Sequence, residues 1–274
     1  MNHEKHVTYT TYLKVDELLE LQQPLSDGPE HDELLFITIH QVYELWFKQI
    51  LHEINALQLS LAEGQTHRSL ALLGRVRTIM KTCVSQLDIL ETMTPLQFNS
   101  FRERLSSASG FQSAQFRELE AVLGRRDQAG KDADKSSGMG MAEHLAPGSS
   151  ARARVEAAMA RPSLWHSALK YFATRTDIPA KALAHDVATA WVPDEELQES
   201  LIWLHVNDPE ASMVGEALVD LDEGLQEWRY RHVKMVERTI GRKIGTGGSS
   251  GAGYLASTLF NPVFPDLWAI RSKF

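Results

Sequence analysis

Residues 32–61 read DELLFITIHQVYELWFKQILHEINALQLSL, and the spacing of their apolar side chains decides the fold class. Leu35, Ile39, Val42, Trp46, Ile50, Ile54 and Leu57 recur at intervals of three and four, the period of an α-helix rather than of a strand. Apolar residues also fall on the flanks of this stripe, as expected of a helix packed between others. Outward from this stretch the same period continues. A second helix is expected from His67 to about Glu91, carrying Leu70, Leu73, Val76, Met80 and Leu87. Thr94-Pro95-Leu96-Gln97 reads as a helix start, with Thr94 as cap, Pro95 in the first turn and Gln97 completing a capping box. That helix should end by Ser107-Ala108-Ser109-Gly110, and Phe111 to Leu123 is expected to be helical again. Pro162-Ser163, Pro179, Pro193-Asp194 and Asp208-Pro209 each mark a further start. A last long helix runs from about Ala211 to Gly241, a glycine-rich loop spans Gly245 to Gly251, and a short helix is expected from Tyr254 to Leu259. No alternating strand, hairpin signal or internal repeat is found. The expectation is an all-α helical bundle, one domain over residues 1–274, with its site between helices. Residues 125–150 are rich in Gly, Ser, Lys and Asp and are expected to form a polar surface excursion, with one short helical turn at Met141 to Leu145.

Composition narrows the function classes. The 274 residues carry 28 Lys and Arg against 36 Asp and Glu, a net charge of −8. That balance argues against general nucleic-acid binding and against adsorption on anionic membranes. No run approaches the roughly 20 apolar residues of a membrane span, and the first residues lack a signal-peptide pattern, so a cytoplasmic location is expected. Cys83 is the only cysteine, which excludes an intrachain disulfide and a cysteine-rich metal site. With 11 histidines, any metal held here is expected to be held by histidine.

Three residues stand out as chemistry. His40 shares one side of the first long helix with Phe36 and Glu44. On helix pattern alone a core histidine bonded to a neighbour is the commoner outcome; the alternative is a neutral imidazole facing a pocket, able to accept or shuttle a proton. His232 lies in Trp228-Arg229-Tyr230-Arg231-His232, where a helical imidazole is either half-buried structure or a haem-iron ligand. Arg102 follows Phe98 by one turn, either solvated beside Glu103 and Arg104 or poised to take a carboxylate against an aromatic wall. The Gly245–Gly251 loop lacks a P-loop ending; it is either a connector or a lid over a small polar ligand. The His-Glu-x-x-His, Gly-x-Ser-x-Gly and dinucleotide patterns are absent.

Seven ordered segments together decide between these alternatives. They are Thr8 to Leu13, His31 to Ile37, His40 to Lys48, Glu91 to Pro95 with Phe101-Arg102, Ser109 to Ser113, Trp228 to His232, and the loop from Gly245 to Gly251. In order and spacing they resemble the tryptophan 2,3-dioxygenase family of haem enzymes; residues from about 125 to 209 carry little of the signal. The resemblance implies haem b with His232 as proximal iron ligand, and His40 as the distal histidine near the indole N–H of the substrate. It implies Arg102 on the substrate carboxylate, Thr246 at the ammonium or carboxylate end with Gly245 and Ser109 close by, and Phe36 lining the indole pocket. Phe98 stands where some bacterial members carry Tyr, so one hydroxyl contact is lost and a modest effect is implied. Tyr9, Tyr12 and Leu13 are implied to complete a neighbouring subunit's pocket in a homotetramer. The implied substrates are L-tryptophan and O2, and the product N-formyl-L-kynurenine. A related haem-dependent monooxygenase of tryptophan or a substituted indole is the alternative; a haem sensor without turnover has no need of Arg102 and Thr246.

Overall fold

The computed structural model describes residues 6–28, 30–106, 108–126, 140–241, 243–245 and 251–274. Among them every regular element is a helix or a short 3-10 turn, and no strand is present. In chain order the α-helices are α1 (Tyr9–Leu13), α2 (Val15–Leu19), α3 (His31–Ala62), α4 (Thr66–Leu90), α5 (Pro95–Arg102), α6 (Ala114–Leu123), α7 (Ser150–Met159), α8 (Leu164–Ala173), α9 (Ala180–Leu183), α10 (Glu195–Asn207), α11 (Pro209–Ile240), α12 (Ala252–Ser257) and α13 (Pro265–Ala269).

The frame is three long helices. The α3 and α11 helices have 32 residues each, about 48 Å at 1.5 Å per residue. Between them lies α4, packed against both, and its buried residues, among them Leu72, Leu73, Val76, Ile79, Met80, Cys83, Val84 and Leu87, form one broad face that meets the two partners. The α3–α4 connection is tight because Gly64 adopts φ +69°, the left-handed conformation that ends a helix cheaply only in glycine. Burial of roughly 25 cal/mol per Å2 of apolar surface drives the three-helix packing.

The sequence signals place most helix starts correctly. Thr94 accepts from Gln97 N while Gln97 returns to Thr94 N, completing the capping box. Ser163, Asp194 and Asp208 cap α8, α10 and α11. Two boundaries differ. The helix expected from Phe111 begins at Ala114, because Ser113 Oγ accepts from Phe116 N and the preceding Gly110–Gln112 forms a 3-10 turn. The short helix expected from Tyr254 to Leu259 spans Ala252–Ser257 instead, starting directly after Gly251 at φ +62°. A Cβ at Gly251 would lie 2.8 Å from the Lys243 carbonyl oxygen, so only glycine fits where the two strands of chain cross.

The described ends of the 125–150 stretch are held by the core. Arg126 is buried and donates to the carbonyls of Val187 (2.6 Å), Ala121 (2.6 Å) and Arg161 (3.0 Å). Met141, Ala142 and Leu145 are buried as well, so this part is anchored rather than purely superficial. Among the described residues no helix is long and apolar enough to cross a membrane.

Candidate functional site

A cavity of about 520 Å3 opens between α3, α5, α6 and α11, well within the range of small-molecule sites. His40 and Phe36 line it from α3, Arg102 and Phe98 from α5, His232 from α11, and Ser109, Gly110 and Gly245 from the connecting loops. The structure thus brings His40, Phe36, Arg102, Ser109, Gly245 and His232 to one space. Thr246 lies outside the described residues. Tyr9, Tyr12 and Leu13 sit on α1, do not line this cavity, and are exposed at 77%, 75% and 45%.

His40 is oriented by its own helix. Its Nδ1 lies 2.7 Å from the Phe36 carbonyl oxygen. A carbonyl only accepts, so Nδ1 carries the hydrogen and Nε2 of the neutral ring keeps its lone pair. The Phe36 ring packs on the imidazole at 4.1 Å between centroids. His40 lines the cavity and is open to solvent there, yet the protein packed around the ring pushes its pKa down; the Phe36 carbonyl and Glu44 pull it upward. Arg102 donates from Nη2 to the Ile244 carbonyl oxygen at 2.5 Å. That bond occupies one corner of the guanidinium and leaves other donors for a ligand.

His232 is stacked on Trp228, with ring centroids 5.1 Å apart and planes 22° from parallel. Among the described residues no hydrogen bond holds either of its nitrogens. Burial, then His40 and Arg117, push its pKa down to about 4, so at neutral pH it offers a neutral imidazole lone pair, the form in which histidine binds metals. His166, outside this site on α8, is likewise pushed down to about 4 by burial, by His185 and by Arg126. In the unfolded chain both take protons near pH 6.5. Between pH 6.5 and 4 the unfolded state therefore binds more protons, and stability falls as pH falls through that window. Cofactor-free protein is expected to lose on the order of 3 kcal/mol between pH 7 and pH 5, read as a lower urea midpoint; equal midpoints would contradict the placement of these rings.

The cavity also carries a charge arrangement that the sequence did not announce. Glu120 of α6 is fully buried; its Oε1 accepts from Arg125 (2.7 Å) and Arg229 (2.9 Å), and Arg117 Nη1 lies 2.7 Å from Oε2. Burial pushes the Glu120 carboxyl up, but Arg117, Arg125 and Arg229 outweigh it and hold it down to about 2. All four residues line the cavity, and among the described residues three guanidiniums face this one carboxylate. Arg117 Nε is buried without a hydrogen-bond partner, a costly state for a donor unless a ligand meets it. Arg117 and Glu120 are spaced i,i+3 and read in sequence as an ordinary surface pair; the one advance sign was Arg229 beside Trp228 in an otherwise apolar helix stripe.

The donor set suits haem b. A neutral imidazole on a long helix, an aromatic and aliphatic wall, and a cationic end with an orphaned donor match an iron, a flat apolar ring and its two carboxylates. The fold and site thus define a helical protein whose cavity has the shape and charge for a flat anionic ligand, with an arginine beside it. Comparison with known proteins narrows this. A family model described as tryptophan 2,3-dioxygenase matches residues 1–201 and 201–274. The chain is similar to the tryptophan 2,3-dioxygenase of Anaeromyxobacter sp. (strain K), 55% identical over 270 residues, which is 98% of this chain and 97% of that protein. It is 55% identical over 267 residues to that of Herpetosiphon aurantiacus (97% and 98% coverage), and 43% identical over 277 to that of Caulobacter vibrioides (97% and 98%). The chain belongs to the tryptophan 2,3-dioxygenase family of oxidoreductases.

Proposed function

We propose that this chain, loaded with haem b, opens the indole C2–C3 bond of L-tryptophan with both atoms of O2 to give N-formyl-L-kynurenine. The observation that carries this reading is the meeting of His40, Arg102 and His232, from three different helices, at one cavity. When bound, haem supplies the redox chemistry of dioxygen. The chain's own residues do the rest. His232 presents its neutral imidazole as the iron ligand. Arg117, Arg125 and Arg229 would meet the two carboxylates of the group, with the Glu120 carboxylate drawing the three guanidiniums together. His40 Nε2, the lone-pair nitrogen, accepts the indole N–H and so fixes the ring's rotation. Phe36 and Phe98 wall the indole and keep water out. Arg102 takes the substrate carboxylate, with Ser109 and Gly245 nearby, so the reacting bond is presented in one orientation. Thr246 joins this end on the strength of the family resemblance.

The N-terminal arm supports a multimeric assembly. Thr8 and Thr11 form a capping box that starts α1, yet α1 and α2 bury no residue of their own. Val7, Tyr9, Tyr12, Leu19, Leu21 and Leu25 are all at least 60% exposed. So many exposed apolar side chains on one arm call for a covering partner, and we assign a second copy, with Tyr9, Tyr12 and Leu13 completing its pocket in a homotetramer.

The test is at Arg102. Two charge-assisted hydrogen bonds to a carboxylate in a partly dry cavity make Arg102→Met cost about 100-fold in KM for L-tryptophan, with kcat changed far less. Arg102→Lys restores little, since an ammonium lacks the planar fork. The variant should also lose its preference for L-tryptophan over tryptamine, which has no carboxylate. An unchanged KM in Arg102→Met overturns the assignment.

A further inference from the structure

Glu44 lies one turn beyond His40 on α3 and lines the same cavity, but no step of the reaction uses it. Its carboxylate is engaged across the helix interface. Oε1 accepts from Ser113 Oγ at 2.5 Å, and Oε2 accepts from Gln115 Nε2 at 2.8 Å. The same amide nitrogen also donates to the Glu44 backbone carbonyl at 2.8 Å. Ser113 is the N-cap of α6, so its hydroxyl donates to Glu44 while accepting from Phe116 N. Behind Ser113 the chain is wound tightly. Gln112 N donates to the Ser109 carbonyl at 2.9 Å, and Ser113 N to the Gly110 carbonyl at 3.1 Å. With two successive short turns there is no slack between Ser113 and Ser109: where Ser113 is fixed, the cavity-facing Ser109 and Gly110 are fixed as well.

We infer that Glu44 is a positioning residue: through Ser113 and Gln115 its carboxylate clamps the Ser109–Gln112 turn to α3, in register with His40. The two sides of the substrate end, the imidazole and the turn, are thereby set from one helix. A carboxylate suits the task because it accepts from both partners at once and holds charge-assisted bonds more tightly than a neutral acceptor. This inference deepens the tryptophan-cleaving reading and rests on it for its kinetic arm only.

The experiment uses the haem-loaded enzyme with Glu44→Ala, Glu44→Gln and Ser113→Ala. In Glu44→Ala, KM for L-tryptophan is expected to rise about tenfold with kcat within about threefold. Glu44→Gln is expected to stay within about threefold of the parent in both constants, because its amide oxygen still accepts from Gln115 Nε2 while its amide nitrogen donates to Ser113 Oγ. Adding Ser113→Ala to Glu44→Ala should cost less than the two single costs together, since both act through one bond. Amide hydrogen exchange at residues 109–113, measured without substrate, should speed about tenfold in Glu44→Ala and not in Glu44→Gln. An unchanged KM in Glu44→Ala overturns the proposal whatever the exchange shows. So does a joint fall of kcat, haem content and thermal midpoint, which marks a merely structural residue. If the parent enzyme does not consume tryptophan, the functional reading fails, and the exchange result alone decides: faster exchange confined to 109–113 upholds the clamp, and unchanged exchange removes it.

Discussion

Replacing His232 with alanine is expected to leave a folded protein that no longer retains haem. The imidazole is only half-buried by protein and its main contact is the stack on Trp228. The α11 helix is held elsewhere by Val214, Leu218, Leu221 and Leu225, all buried. Truncation should therefore cost about 1–2 kcal/mol of stability in the cofactor-free protein, too little to unfold a three-helix core. Its effect on the cofactor should be much larger. Loss of an outer-shell partner of a ligating histidine already costs about 10–100-fold in metal affinity or activity, so loss of the ligand itself should exceed about 100-fold. The check is haem content and Soret absorbance after desalting, beside helicity. Smaller Gly at this position with added imidazole should recover part of the absorbance. Full haem retention and full turnover in His232→Ala would remove the residue from its role.

The second large effect is expected at Glu120. Glu120→Gln keeps the shape and removes the negative charge that Arg117, Arg125 and Arg229 share. Breaking a buried ionic cluster by removing one partner costs about 3–5 kcal/mol, because the charges left behind stay desolvated. The depressed carboxyl adds a pH signature. A group held down to about 2 contributes stability that is fully present above its unfolded pKa and is lost as pH falls from about 4.5 toward 2. That acid limb should be missing in Glu120→Gln. Haem loading should recover part of the loss at neutral pH, since the carboxylates of the bound group meet the same guanidiniums. Measured by urea unfolding, a destabilisation of equal size with and without haem would separate this cluster from the cofactor.

Much of the fold was legible because its signals are local. The apolar stripe from Leu35 to Leu57 and the caps at Thr94, Ser163, Asp194 and Asp208 each act within one or two turns, and each stands where its residues point. The Gly-, Ser-, Lys- and Asp-rich composition of 125–150 did not announce the buried residues at its described ends. A lone arginine and three apolar residues, Arg126 and Met141, Ala142 and Leu145, are buried by segments distant in sequence, which no local pattern reveals. The same reason hid the Glu120 cluster: its i,i+3 spacing to Arg117 matches a solvated pair, and only the arrival of Arg229 from α11, 109 residues on, makes it a buried charge centre. His40, His232 and Arg102 were visible as residues of the right kind but undecided by pattern; the order and spacing of seven segments pointed to the roles proposed for them. Glu44 was seen to share a side with His40, while its partners Ser113 and Gln115 belong to another helix.

The most direct measurement is the mass of the product formed from L-tryptophan by the reduced, haem-loaded protein under 18O2. The expected product carries both labelled oxygen atoms, with the indole ring opened. A product carrying a single labelled oxygen, with the ring intact, would contradict the ring-opening reading and place the chain with the monooxygenases that share the scaffold.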